Sequence, residues 1–188
     1  MADEAPRLAA VLVTGWPGSG KSTVGRRVAR RLGAALVDQD TVTGPLVAVV
    51  AELVGTHDLD DPRLAGPTRQ ARYETVVAVA EDNLRAGVPV VLVAPFTLER
   101  RDLHAWQALE RRLSAAGGAP VLVWLQLEPS AVVGRLQARG APRDLAKLAD
   151  PSSFLAGLDQ GRPVGPHLPV DAAGTVDEVA ERVLAGLG

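Results

Sequence analysis

The sequence predicts an α/β/α sandwich: a five-stranded parallel sheet between two layers of helices, with a small arginine-rich lid. Three observations predict it. Short apolar, β-branched runs alternate with amphipathic stretches of helical period. A glycine-rich turn joins the first run to the first helix. The polar residues with evident chemistry gather where the runs end, which in an open parallel sheet is the ligand-binding edge.

The elements follow in order. Leu8 to Val13 is a continuous apolar run, as expected of a strand buried on both faces. Lys21 to Leu32 carries Val24, Val28 and Leu32 on one helical stripe, and Gly33 stops it. Ala34 to Val37 is a second short strand, ending at Asp38, Gln39 and Asp40. Thr41 or Thr43 is placed to cap a helix from Pro45 to Leu53. Residues 55–66 are turn-rich and read as a surface loop. Gln70 to Arg85 is helical, Val88 to Ala94 is a third strand, and Leu98 to Ala116 is one charged amphipathic helix broken by Gly117 and Gly118. Val121 to Leu127 is a fourth strand and Ser130 to Ala138 a helix. Residues 139–166 read as an irregular, polar lid, because a loop that long is usually functional. Leu168 to Val170 is a weak fifth strand before a final amphipathic helix.

Bulk properties narrow the function. The chain has 188 residues, a length that favours one domain over 1–188. Its 47% apolar content suffices for a core. A net charge of −2 offers no field for nucleic acid, so no nucleic-acid partner is expected. No cysteine is present, which removes thiolate zinc sites and cysteine nucleophiles. His57, His104 and His167 are scattered without metal-ligand spacing. No stretch approaches the roughly 20 apolar residues of a membrane span, and the N-terminus is unlike a signal peptide. The expected location is the cytoplasm, with no membrane partner. Oligomeric state is not indicated.

Gly15, Trp16, Pro17, Gly18, Ser19, Gly20, Lys21 and Ser22 match G-x-x-x-x-G-K-[ST] between a strand and a helix, the phosphate loop of P-loop NTPases. Each residue type has a physical task. The glycines permit backbone conformations that turn successive N–H groups inward as an anion nest. The helix beginning near Lys21 aims its positive end at phosphate. Lys21 reaches the β- and γ-phosphates, Ser22 supplies a hydroxyl to Mg²⁺, and Thr23 is placed for the α-phosphate. ATP with Mg²⁺ is the expected ligand.

Asp38 and Asp40 follow the second strand. Beside Mg²⁺-ATP, one carboxylate can hold the metal and the other can accept a proton from an acceptor hydroxyl. The plainer alternative is a pair of helix-capping aspartates. The third strand ends in Val93, Ala94 and Pro95, without the aspartate of a usual Walker B strand.

Together, the phosphate loop, the Asp-x-Asp ending of strand two and the arginine-rich segment after strand four resemble the small P-loop metabolite kinases. That group includes shikimate, gluconate, adenylylsulfate and chloramphenicol kinases and the zeta-toxin kinases. Pro95 to Asp102 resembles the gluconate-kinase pattern, in which a turn precedes an Arg-Asp helix start. The resemblance implies Asp40 nearest the acceptor hydroxyl and Asp38 nearer the metal. It implies Arg135 or Arg139 against the base and Arg143 closing over the phosphates. Residues 41–74 would line the acceptor site, with Thr43, Arg69, Arg72 and Tyr73 as candidates. Arg69 and Arg72 could grip a carboxylate or phosphate. The expected activity is transfer of the γ-phosphoryl group of ATP to a hydroxyl of a small metabolite or antibiotic. The alternatives are an ATP-binding regulatory switch and a nucleic-acid end kinase.

Overall fold

The computed structural model describes residues 6–188 except 57, 59, 60, 142, 143 and 160, and the side chain of Ala146. The expected role of Arg143 lies outside the described residues. Strand β1 (Leu8–Gly15) leads through the phosphate loop into helix α1 (Lys21–Leu32). Strand β2 (Ala35–Asp38) and helices α2 (Gln39–Val54) and α3 (Pro62–Arg85) follow. Strand β3 (Val90–Val93), helices α4 (Thr97–Arg101) and α5 (Leu103–Ala115) and strand β4 (Gly118–Gln126) come next. Helices α6 (Pro129–Arg139), α7 (Leu145–Ala149) and α8 (Pro151–Ala156), strand β5 (Leu168–Asp171) and helix α9 (Val176–Leu187) complete the chain.

The five strands form one sheet in the order β2-β3-β1-β4-β5, and every pairing is parallel. Side chains alternate along each strand with period two. Val11 and Val13 of β1, with Val91, Val93, Val123 and Leu125, meet Val24 and Val28 of α1, Val132 and Leu136 of α6 and Val179 and Val183 of α9. Ala10 and Leu12, with Val90, Leu92 and Leu122, meet Val76, Val77 and Ala80 of α3 and Leu109 and Leu113 of α5. Helices therefore cover both faces, and the expected three-layer sandwich is the observed one. A third, smaller cluster of Val47, Ala51 and Leu64 ties α2 to α3 away from the sheet.

Four boundaries, and the order within one segment, differ from expectation. Helix α2 begins at Gln39 because the Asp38 carboxylate caps it, accepting from the Asp40 N–H at 3.0 Å and the Thr41 N–H at 3.4 Å. Neither Thr41 nor Thr43 is the cap. Helix α3 begins at Pro62, inside the expected loop: Asp61 accepts from the Arg63 N–H at 2.9 Å, and proline suits the first helical position. The expected helix over 98–116 is two, because Asp102 turns extended and caps α5 through the His104 N–H at 2.7 Å. Strand β4 starts at Gly118 and includes Pro120. That proline's missing N–H is tolerated because β5 joins β4 only from Val123 onward. The segment 139–166, expected to be irregular, contains α7 and α8.

Candidate active site

The phosphate loop leaves the central strand. Gly18 and Gly20 have φ of 78° and 92°, and Gly15 has φ of 150°. A Cβ on Gly15 would stand 2.7 Å from both the Leu125 carbonyl oxygen and Ser19 Oγ, so only glycine fits. The Lys21 Nζ donates to the Gly15 and Trp16 carbonyls, each at 2.9 Å, which folds the side chain over the loop. Thr14 Oγ1 donates to the Pro95 carbonyl at 2.6 Å and ties the end of β1 to the end of β3.

A cavity of about 460 Å³ opens beside the loop. Gly18, Ser19, Gly20 and Thr23 line one side, and Arg135, Arg139 and Thr175 are among those on the other. Arg135 straddles it, donating to the Ala172 carbonyl at 2.7 Å and the Ser19 carbonyl at 3.4 Å. Arg139 forms a two-point pair with the buried Asp144 carboxylate at 2.7 and 2.6 Å. That pair fixes the start of α7 to the end of α6.

On the other side of β1, Asp38 stands in register with Val93, and Val93 with Val13. Asp38 is therefore two strands, about 10 Å, from the root of the phosphate loop. Asp40 lies in the first turn of α2. Arg72 of α3 donates through NH2 to Asp40 Oδ1 at 2.8 Å and through Nε to Thr43 Oγ1 at 3.1 Å. Thr43 in turn donates to the Gln39 carbonyl at 2.6 Å. Arg69 is exposed three residues earlier on the same helix. Tyr73 sits at the margin of the core, its ring edge-on to Phe96 with centroids 6.3 Å apart. Burial, reinforced by the Glu99 carboxylate, pushes the Tyr73 phenol well above its ordinary range. Phe96 is the one non-glycine residue with positive φ among the described residues, at 44°, and it begins α4.

The structure thus brings together three sets named from sequence. They are Gly15 to Thr23; Arg135 with Arg139; and Asp40, Thr43 and Arg72. Two contributors were missed. The loop Ala172 to Val176 after β5 lines the cavity. Its signal was readable: Thr175, Val176, Asp177 and Glu178 form a capping box at a strand's carboxyl end. The other is Asp159: Arg100 lies in the Pro95 to Asp102 motif, but its meeting with Asp159, described below, had no sequence signal, because it depends on the path of the chain after α8.

A family described as an AAA domain matches residues 11–161. The chain belongs to that family. Among curated proteins, a shikimate kinase of Rhodopseudomonas palustris is 30% identical over 149 residues, covering 79% of this chain and 64% of that protein. The chain thus spans less than two thirds of that relative's length. A shikimate kinase of Ruegeria pomeroyi is 26% identical over 182 residues, covering 94% of this chain and 84% of the other. Among solved structures, a gluconokinase from Sinorhizobium meliloti superposes with a TM-score of 0.60 at 22% identity, over 97% of this chain and 93% of that one. The APS kinase of Mycobacterium tuberculosis, solved with AMPPNP and APS, does so with a TM-score of 0.61 at 22% identity, over 97% and 98%. The resemblance to small P-loop metabolite kinases read from the phosphate loop and Asp-x-Asp ending is borne out.

Proposed function

We propose that this member of the AAA-domain family is an ATP-dependent phosphotransferase that moves the γ-phosphoryl group to a hydroxyl of a small molecule. One observation carries the reading: a phosphate loop on the central strand faces, across the end of β3, a carboxylate on Asp40 that Arg72 holds at 2.8 Å. A donor site and a proton acceptor thus stand at the same carboxyl edge of the sheet, on either side of β3. The kinase relatives in both comparisons support it.

The residues fit a triphosphate. Glycines with positive φ form a cradle that a Cβ at Gly15 would fill. Lys21 exchanges its two carbonyl partners for phosphate oxygens, and the amino end of α1 faces them. Arg135 and Arg139 border the space open to the base. Among the described residues no cluster of three metal-ligating side chains exists. Mg²⁺ suits that donor set, because it is held by few protein ligands, by waters and by the phosphates themselves. Ser22 would hold it directly, and Asp38, which lies across β3 and caps α2, would act through water. Bound there, Mg²⁺ would neutralise charge on the transferring phosphates.

Asp40 orients the acceptor hydroxyl and takes its proton, and Arg72 fixes that carboxylate's direction. Arg69 and Arg72 favour an acceptor carrying negative charge. Segment 139–166, through α7 and α8, covers the nucleotide and excludes water, which limits wasteful hydrolysis.

The test is ADP release with Mg²⁺-ATP across a panel of hydroxy acids, sugars and aminoglycoside-like alcohols, with product mass measured. One acceptor class should raise turnover and gain the mass of a phosphate. Lys21→Ala should lower transfer by about 10²-fold or more. Asp40→Asn should lower it by about 10²- to 10⁴-fold with nucleotide affinity retained. Tight ATP binding with no phosphorylated product from any acceptor would overturn the proposal.

A further inference from the structure

Outside the cavity, the chain after α8 is tied down by an unusual concentration of polar contacts. The Trp16 indole Nε1 donates to the Asp159 carbonyl at 2.7 Å. Arg100 NH2 donates to the same carbonyl at 3.3 Å and to the Gly161 carbonyl at 3.1 Å. The Asp159 carboxylate accepts from Arg101 Nε at 2.8 Å and lies 3.4 Å from Arg100 NH2. The Val164 N–H donates to the Arg100 carbonyl at 2.9 Å. Arg100 is only 6% exposed, and its guanidinium lies over Trp124 at 6.0 Å from the ring centroid. Its Nε has no partner among the described residues.

A buried guanidinium with an unmatched N–H opposes folding unless it secures something else. What it secures is geometric. Arg100 and Arg101 belong to α4, which follows β3 on the acceptor side. Trp16 is the second residue of the phosphate loop, and its carbonyl holds Lys21 at 2.9 Å. Asp159 hydrogen-bonds both. Its main chain holds Trp16 and its side chain holds α4.

We propose that Asp159 is a positioning residue: with Arg100 and Arg101 it braces Trp16, and so keeps the phosphate loop preorganised for nucleotide. The inference rests on the nucleotide-binding part of the proposed function and needs no acceptor. Preorganisation acts by lowering the ordering cost of binding. The brace also sets the lid's geometry. The chain that leaves α8 is anchored at Asp159, Gly161 and Val164, so the lid's far end is fixed against the same loop it covers.

The experiment is calorimetric titration of Mg²⁺-ADP into the full chain and the variants Trp16→Phe, Asp159→Asn and their double, with thermal midpoints recorded in parallel. Trp16→Phe removes the indole N–H and keeps an aromatic ring. Asp159→Asn keeps shape and weakens the ion pair. Each single variant should weaken Mg²⁺-ADP binding by about three- to tenfold, the scale of one hydrogen bond. The double variant should lose less than the product of the two, as residues in one network do. Arg101→Ala should follow Asp159→Asn, and Arg101→Lys should recover much of the loss. Affinities unchanged in all variants, with only the thermal midpoint lowered, would overturn the brace. So would losses that multiply independently. Failure of the unsubstituted chain to bind Mg²⁺-ADP would instead overturn the nucleotide reading, and this inference with it.

Discussion

Arg72 shows what a single side chain decides in this site. It is one of many arginines on amphipathic helices, and its spacing marks only an exposed helix face. Folding turns its Nε toward Thr43 and its NH2 toward Asp40. A planar fork is needed for both bonds, and lysine cannot supply it. Arg72→Lys should therefore reduce phosphoryl transfer while the thermal midpoint moves little, because Asp40 is half-exposed and such pairs contribute about 0–1 kcal/mol to folding. A large fall in midpoint with unchanged turnover would show the pair to be purely structural. Gly15 is the opposite case, since its role was legible from the motif alone. Gly15→Ala should cost about 1–3 kcal/mol in denaturant unfolding. Its Cβ would meet the Leu125 carbonyl at 2.7 Å, and that oxygen belongs to a central strand that cannot retreat.

Helices and strands were legible where periodicity and punctuation agree, and less so where proline or glycine lies inside an element. Pro45 and Pro67 both sit within helices, α2 and α3. Their neighbours' packing in the small cluster of Val47, Ala51 and Leu64 outweighs the local preference. Two elements yield tests. Helix α9 starts with a reciprocal cap: Thr175 accepts from the Glu178 N–H at 3.3 Å, and Glu178 accepts from the Thr175 N–H at 2.8 Å. Thr175→Ala should cost about 1 kcal/mol. At this chain length that is a fall of roughly 2–4 °C in thermal midpoint. Helix α1 crosses β3 at Gly25, where a Cβ would lie 2.6 Å from Val93 Cγ2. Alanine would gain about 1 kcal/mol of helix propensity over glycine. Overpacking should outweigh it, leaving Gly25→Ala destabilised by about 1–3 kcal/mol in denaturant melts. A stabilised Gly25→Ala would mean that α1 is free to move outward.

For the molecule as a whole, the brace at Asp159 should appear in the pH dependence of stability. Its carboxyl is held below the ordinary value of 3.8, first by the hydrogen bond from Arg101 and further by the Gly161 N–H and the charge of Arg100. A depressed folded-state value stabilises the fold above about pH 3.8, and that stability is lost as pH falls below it toward the folded value. Asp159→Asn should therefore lower the thermal midpoint at neutral pH and flatten its decline below pH 4. Parallel midpoint–pH curves for the two proteins would show that this carboxylate contributes nothing. The sequence by itself determined the sandwich, because continuous apolar runs of strand length must be covered on both faces. It also determined the phosphate loop, because glycine, lysine and serine at those spacings serve a local backbone conformation. Only the tertiary structure decided which strand neighbours which, and so that Asp38 lies two strands from the phosphate loop. It alone brought Arg72 to Asp40, Arg135 to Ala172 and Asp159 to Trp16. Those partners lie 32, 37 and 143 residues apart, and no local periodicity encodes contacts at such distances. They form because burial of the two sheet faces fixes where each strand end, and the polar residue just beyond it, must stand.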